Sequence, residues 1–248
     1  MSKTIIVTGG SRGIGRAAAI LCGRRGWNVV VNYVGAQDAA RETAREVEAA
    51  GGKALVVQGD VAVEADVKRL FAECDARFGA LDGLVNNAGI VAPVGPFTGM
   101  DLARWRRMFD INVLGAMMVA QQAGKRMLKS AGGRGGAIVN ISSAAARLGS
   151  PGAYVDYAAS KGAIDTFTVG LGREWAADGV RVNAIRPGII ETEIHASSGE
   201  PERVALITPT LPMKRAGTAM EVGEAILWLL DDASSYVAGA ILDVSGGR

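Results

Sequence analysis

Thr4-Ile5-Ile6-Val7-Thr8-Gly9-Gly10-Ser11-Arg12-Gly13-Ile14-Gly15 is the stretch that decides the fold. Thr4 to Thr8 are all β-branched, a composition that favours a strand because branched side chains pack well on a pleated surface. Glycines then permit a tight turn, and an alanine-rich segment beginning near Arg16 reads as a helix. Strand, glycine turn and helix in that order form a phosphate-binding unit. The first N–H groups of a helix have no intrahelical partner, the dipole puts positive charge there, and glycine lets the backbone approach a pyrophosphate. Gly9, Ser11, Arg12, Gly13, Ile14 and Gly15 are therefore the candidates for holding a dinucleotide, the bland alternative being a tight turn without a ligand.

Outward from this unit the chain alternates. Strands are predicted over Asn28–Tyr33, Lys53–Gln58, Leu81–Val85, Ala137–Val139, Val180–Ile185 and Ala240–Val244. Between them, helical patterns run about Asp38–Ala50, Glu64–Phe78, Asp101–Ser130, a stretch ending near Ala177, and Ala219–Leu230. Seven strands alternating with helices and no linker predict one doubly wound α/β domain over residues 1–248, with a mainly parallel sheet and helices on both faces.

Composition removes several functions. A net charge of +2 without a dense Lys/Arg run argues against nucleic acid as the main partner, and the Arg104 to Arg107 segment reads as a solvated helix face. The single histidine, His195, excludes a multi-histidine metal site, and no metal is expected. No apolar run approaches the ~20 residues of a membrane span. Cys22 and Cys74 fall inside helical patterns without motif spacing, which reads as buried thiols in a reducing compartment. Met1-Ser2-Lys3 leads straight into a strand, leaving no signal-peptide pattern. The expectation is a cytoplasmic protein bound to neither membrane nor nucleic acid.

At the end of the second strand, a site that prefers NAD carries an acid for the ribose 2′-hydroxyl. Here the residues are Asn32, Tyr33, Val34 and Gly35, and no carboxylate comes before Asp38. A 2′-phosphate meets no repulsion there, and Arg12 could pair with it. NADP(H) is expected over NAD(H).

Tyr157 and Lys161 stand four apart in an alanine-rich helical pattern, on one face about a turn from each other. An ammonium near a phenol favours the phenolate and lowers the tyrosine pKa. Taken alone, the pair is equally a packing tyrosine beside a solvated lysine. Asn112 between Ile111 and Val113 also asks for a reason, because asparagine competes for backbone hydrogen bonds inside a helix.

Five marks occur in order: Thr8 followed by Gly-x-x-x-Gly-x-Gly, Asn86-Asn87-Ala88-Gly89 after a Leu-Val strand, Asn112, Ser143 with Tyr157 and Lys161, and Pro187-Gly188. Together they resemble the short-chain dehydrogenase/reductase family over essentially the whole chain, nearest the subgroup of 3-oxoacyl-carrier-protein reductases and glucose dehydrogenase-like enzymes. The resemblance implies a Rossmann-type fold and reversible hydride transfer between a nicotinamide and a carbonyl or secondary alcohol. It implies that Tyr157 transfers the proton, Ser143 polarises the oxygen, Lys161 holds the cofactor ribose and lowers the Tyr157 pKa, and Asn112 carries a proton relay. It further places Asp60 and Val61 at the adenine, Asn87, Ala88 and Gly89 along the cofactor, and Pro187, Gly188, Ile190 and Thr192 beside the nicotinamide amide. Asp60 reads equally as a turn residue at the start of the next helix. Tyr154 is a rival phenol without a lysine one turn on, and lines the substrate cleft in this reading. Residues of about 188–218, His195 among them, are expected to form a substrate lid, and the family's habit is a homotetramer. A dinucleotide sensor and a serine hydrolase are the rival readings; the first has no need of all four catalytic positions, and the second lacks a Gly-x-Ser-x-Gly elbow.

Overall fold

In a computed structural model, which describes residues 2–193 and 202–248, nine strands form two sheets. The large sheet contains β1 (Thr4–Val7), β2 (Asn28–Tyr33), β3 (Lys53–Gln58), β4 (Gly83–Asn86), β5 (Gly136–Ile141), β6 (Val180–Pro187) and β9 (Ile241–Val244). Its order is β3-β2-β1-β4-β5-β6-β9 and every pairing is parallel. The chain works outward from β1 to β3 and then restarts at β4 on the other side, so β1 and β4 flank the switch point where a crevice opens above the carboxyl ends of the strands.

Burial on both faces explains the near-continuous apolar strands. Ile5 and Val7 of β1 join one core layer with Leu21 and Cys22 of α1 (Gly13–Arg24), Ala40 and Val47 of α2 (Gln37–Ala49), and Ile226 and Leu230 of the last helix (Ala219–Leu230). Ile6 points the other way, into a layer with Leu70 and Phe71 of α3 (Glu64–Phe78) and Val119 and Met127 of α5 (Ala116–Met127). Cys22 and Cys74 are free and buried, and burial pushes both thiols up to about 12.

Three boundaries differ from the sequence reading in ways that matter for the site. Helix α1 begins at Gly13 rather than near Arg16, so the glycine loop supplies its first turn. The single helix expected over Asp101–Ser130 is α4 (Leu102–Phe109), a π turn over Asp110–Gly115, and then α5. Strand β6 continues through Arg186 and Pro187; proline has no N–H to give, but its carbonyl still accepts from Ala144 N (2.9 Å). Beyond it, β7 (Ile190–Glu191) pairs with β8 (Gly217–Thr218), and Ile189, Leu211 and Ala216 make a small apolar cluster under that pair. His195 lies outside the described residues.

Candidate active site

Thr8 ties the two strands at the switch point together. Its hydroxyl accepts from the backbone N–H groups of Asn87 (3.0 Å) and Ala88 (3.0 Å), while Asn87 Nδ2 donates to the carbonyls of Thr8 (2.9 Å) and Gly9 (3.0 Å). From the other side, Asn32 Oδ1 accepts from the Gly9 N–H (3.3 Å) and Asn32 Nδ2 donates to Gly59 O (2.9 Å). The buried amide of Asn32, expected at the cofactor, is thus spent on shaping the turn that would hold it. Asn86 does similar work between β4 and β5, donating to Ala116 O (2.9 Å) and to Asn140 Oδ1 (3.1 Å).

The start of α1 suits an anion. Its N-cap, Arg12, has extended backbone, no side chain caps the helix, and no acid stands in the first turn. Gly13 has φ +55, and a Cβ there would touch Thr192 at 3.4 Å, so Thr192 lies over the turn. At the tip of β2, Tyr33 is buried, and the first acid, Asp38, is in the first turn of α2 as expected. Arg12 is exposed, with its Nε 4.0 Å from Glu193. Past β3, Asp60 plays the turn role weighed for it, accepting from Ala62 N (2.9 Å), while its other oxygen pairs with Arg107 (3.0 Å). Val61 is buried against Gly115 of the π turn.

Strand β5 and, after the short helix α6 (Ala145–Leu148), the long helix α7 (Val155–Trp175) supply the polar group at the other end. Ser142 is buried and donates to Lys161 O (3.2 Å), whereas Ser143 accepts from Ala145 N (3.1 Å), lines the cleft with Tyr157, and has a side chain that favours the charged form of that phenol. Of the two serines, Ser143 is therefore the one that acts on the tyrosine. Lys161 Nζ donates to Ile141 O (2.7 Å) and lies 5.7 Å from the centre of the Tyr157 ring. Burial lowers the Lys161 pKa to about 8, opposed by the negative charge of Asp165 one turn on. Asp165 is itself gripped by Arg186 at 2.8 and 2.9 Å.

The expected lowering of the Tyr157 pKa by Lys161 is overturned. Removal from water raises the phenol, and the Ser143 side chain is what acts against that rise.

Asn112 occupies the π turn and does not face the cleft directly. Its Oδ1 accepts from Ile90 N (2.8 Å), and its Nδ2 donates to Ile90 O (2.9 Å) and Ser160 Oγ (3.2 Å). Gly89 sits in front of it, where a Cβ would be 3.2 Å from Asn112 Oδ1 and 3.5 Å from Lys161 Nζ. Ser143, Tyr157, Lys161, Gly89, Asn87 and Ile14 line one cleft with Pro187, Gly188, Ile190 and Thr192. Gly9, Ser11, Arg12, Gly13, Gly15, Asn32, Tyr33, Asp60, Val61, Ala88 and Asn112 are not in its lining; Asn32 and Tyr33 end β2, and Asp60 and Val61 follow β3. The rest of the cleft's lining is largely apolar, with Val91, Ala144, Leu148, Tyr154 and Ile189, and includes Arg248.

One group went unforeseen. Instead of a solvated face, Arg104 turns inward and forks onto Asp156, the residue before Tyr157, at 2.7 and 3.1 Å. The signal was present in Asp101, whose carboxylate caps the helix at Arg104 N (2.8 Å) and so fixes which side of the first turn Arg104 faces.

Among the described residues no group of three or more His, Cys, Asp or Glu could hold a metal ion, and no helix is long and apolar enough to cross a membrane. Residues 9–248 match the family model described as Enoyl-(Acyl carrier protein) reductase. The chain is 51% identical to the uncharacterized oxidoreductase YgfF of Escherichia coli (strain K12) over 243 residues, covering 98% of each chain. It is 39% identical over 245 residues to glucose 1-dehydrogenase 2 of Bacillus subtilis, covering 99% of this chain and 94% of that one. A crystal structure of a short-chain type dehydrogenase/reductase from Mycobacterium marinum superimposes with a TM-score of 0.92 at 32% identity, covering 99% of this chain and 94% of the other.

Proposed function

The chain belongs to the short-chain dehydrogenase/reductase family, a family of oxidoreductases acting on CH–OH groups, and from that premise we propose that it interconverts a carbonyl and a secondary alcohol with NADP(H) preferred over NAD(H). The observation that carries the reading is that Ser143, Tyr157 and the buried Lys161, whose Nζ lies 5.7 Å from the centre of the Tyr157 ring, line one cleft with Ile14 at the start of α1.

The residues present fit a dinucleotide. The uncapped, acid-free start of α1 leaves backbone donors for a pyrophosphate, and glycines at positions 9, 13 and 15 keep side chains out of its way. When bound, the nicotinamide donates or accepts the hydride. Gly9, Ser11, Gly13, Ile14 and Gly15 would hold the phosphates, Arg12 the 2′-phosphate, and Tyr33, Asp60, Val61 and Ala88 the adenosine side, with Asn32 shaping the turn. Asn87, Gly89, Pro187, Gly188, Ile190 and Thr192 would border the nicotinamide. The absence of an acid between Tyr33 and Asp38, with Arg12 exposed at the α1 N-cap, supports the phosphorylated cofactor.

Ser143 orients the substrate oxygen, and Tyr157 gives or takes its proton. Lys161 positions the cofactor ribose and keeps a positive charge near the phenol, and Asn112 holds the Ile90 backbone so that Gly89 stays against Lys161. Segment 188–218 serves as the substrate lid. The whole chain forms one functional domain, and four copies assemble, which the exposed Phe109, Leu114 and Met117 along α4, the π turn and α5 and Trp228, Tyr236 and Leu242 near the end of the chain support. Two buried thiols suit a reducing cytoplasm. Following NADPH oxidation against a panel of ketones, diketones, sugars and acyl thioesters tests the reading, and no turnover with any carbonyl would count against it.

A further inference from the structure

Arg104 makes more contacts than a surface arginine needs. Its Nε and Nη2 fork onto Asp156 at 2.7 and 3.1 Å, and its Nη1 donates to Pro93 O at 2.7 Å. The Asp156 side chain is 2% exposed and that of Arg104 18% exposed. A charge pair taken this far out of water stabilises little by itself, because desolvation offsets most of the attraction, but a planar fork holds its partner in one orientation. Three segments converge on this fork: α4, the loop after β4, and the first turn of α7.

What those segments carry gives the fork its meaning. Asp156 immediately precedes Tyr157. The loop holding Pro93 also holds Val91, which lines the same cleft as Tyr157. That loop is pinned at Ile90 by Asn112 (2.8 and 2.9 Å) and at Gly95, whose N–H donates to Ala153 O at 3.2 Å. Between those two pins, Arg104 is the link that sets the loop against the turn bearing the tyrosine. No atom of Arg104 lines the cleft.

We propose that Arg104 is a positioning residue: by clamping Asp156 and Pro93 together it sets the gap between the Tyr157 phenol and the Val91 wall in which the substrate carbonyl is held. The proposal rests on the reading of Tyr157 as the proton donor. A misplacement of about 1 Å in such a gap costs on the order of a hundredfold in rate. The hydrogen bonds of the fork go to Asp156 and Pro93 and not to the α1 side, so cofactor affinity is expected to be insulated from it.

The test compares Arg104→Gln, Arg104→Lys and Asp156→Asn with the parent, measuring NADPH dissociation constant, melting temperature, and kcat and KM for the best carbonyl substrate, each rate normalised to titrated NADPH-binding sites. Arg104→Gln and Asp156→Asn are expected to lower kcat/KM at least about tenfold while NADPH affinity stays within about twofold. Combining them should cost no more than the worse single change, and Arg104→Lys, which keeps the charge but not the fork, should recover part of the loss. A purely structural pair would lower the melting temperature and the number of NADPH-binding sites but leave kcat/KM per site within about twofold, and that result overturns the proposal; so does a loss of NADPH affinity matching the loss of rate. If Arg104→Gln does not fold, Arg104→Lys decides alone: parent-like kcat/KM per site refutes the clamp. Tyr157→Phe is run beside them, because turnover retained there refutes the assignment of Tyr157, whereas its loss with parent-like Arg104 variants refutes the clamp alone.

Discussion

Asn112 grips Ile90 by both of its backbone groups, accepting from the N–H at 2.8 Å and donating to the carbonyl at 2.9 Å. This pairing explains an asparagine within a helix: its amide replaces a missing strand neighbour for the chain leaving β4, and the helix accommodates it with a π turn. Removing it leaves two part-buried backbone groups unpaired. Asn112→Ala is expected to destabilise the fold by about 2 kcal/mol, a fall of about 4–8 °C in melting temperature for a domain of this size. Scanning calorimetry checks this, and a melting temperature unchanged within a degree would show that the clamp carries no weight.

Lys161 gives a pH prediction. Burial holds its pKa at about 8, below the value near 10.5 of an exposed lysine. The unfolded chain therefore binds the proton more tightly than the folded one, and stability from this group rises as pH climbs from about 8 toward 10.5. Below about pH 8 both states are protonated and the folded state bears the full penalty. Lys161→Met should be the more stable protein at pH 7, by an amount that shrinks as the pH approaches 10. Paired denaturant titrations across that range measure it, and a stability difference independent of pH contradicts the burial argument.

Arg12 is the one cation on the glycine turn itself, between Gly9 and Gly15. If it meets a 2′-phosphate, Arg12→Ala should weaken NADPH about tenfold, as expected for a charge-assisted hydrogen bond at an exposed site, and leave NADH nearly unchanged. Fluorescence titration with the two nucleotides decides between this and equal losses, which would place the 2′ position elsewhere.

Gly15 lies where a Cβ would come within 2.6 Å of Asn87 Nδ2 and collide with the Gly9 carbonyl. Gly15→Ala must push the helix off the turn. Loss of most NADPH affinity is expected, readable by calorimetric titration; a parent-like dissociation constant would mean that this turn does not cradle the phosphates.

Local chemistry made much of the frame legible. Strands β2 and β3 and helix α3 run where their β-branched stretches and apolar spacing place them, because each needs little more than its own pattern. The break between α4 and α5 was hidden, since it depends on Asn112 reaching Ile90, 22 residues away. Arg104 was hidden for the same reason: three basic residues in four look like a wet face until Asp156 arrives from a helix 52 residues on. Within the site, the pairing of Tyr157 with Lys161 was readable from spacing, but the sign of the tyrosine shift was not. Spacing gives distance between charges, whereas burial is a property of the finished fold, and here burial raises the phenol against the lowering by Ser143.

The central claim is that Tyr157, in one cleft with Ser143, moves the proton. Its most direct measurement is the single-turnover rate of Tyr157→Phe with saturating NADPH and a ketone that the parent reduces, alongside NADPH binding to the same preparation. Parent-like NADPH binding is expected, with the rate reduced by about a thousandfold or more, in keeping with loss of a positioned general acid. A rate within tenfold of the parent's at full NADPH occupancy would contradict the claim.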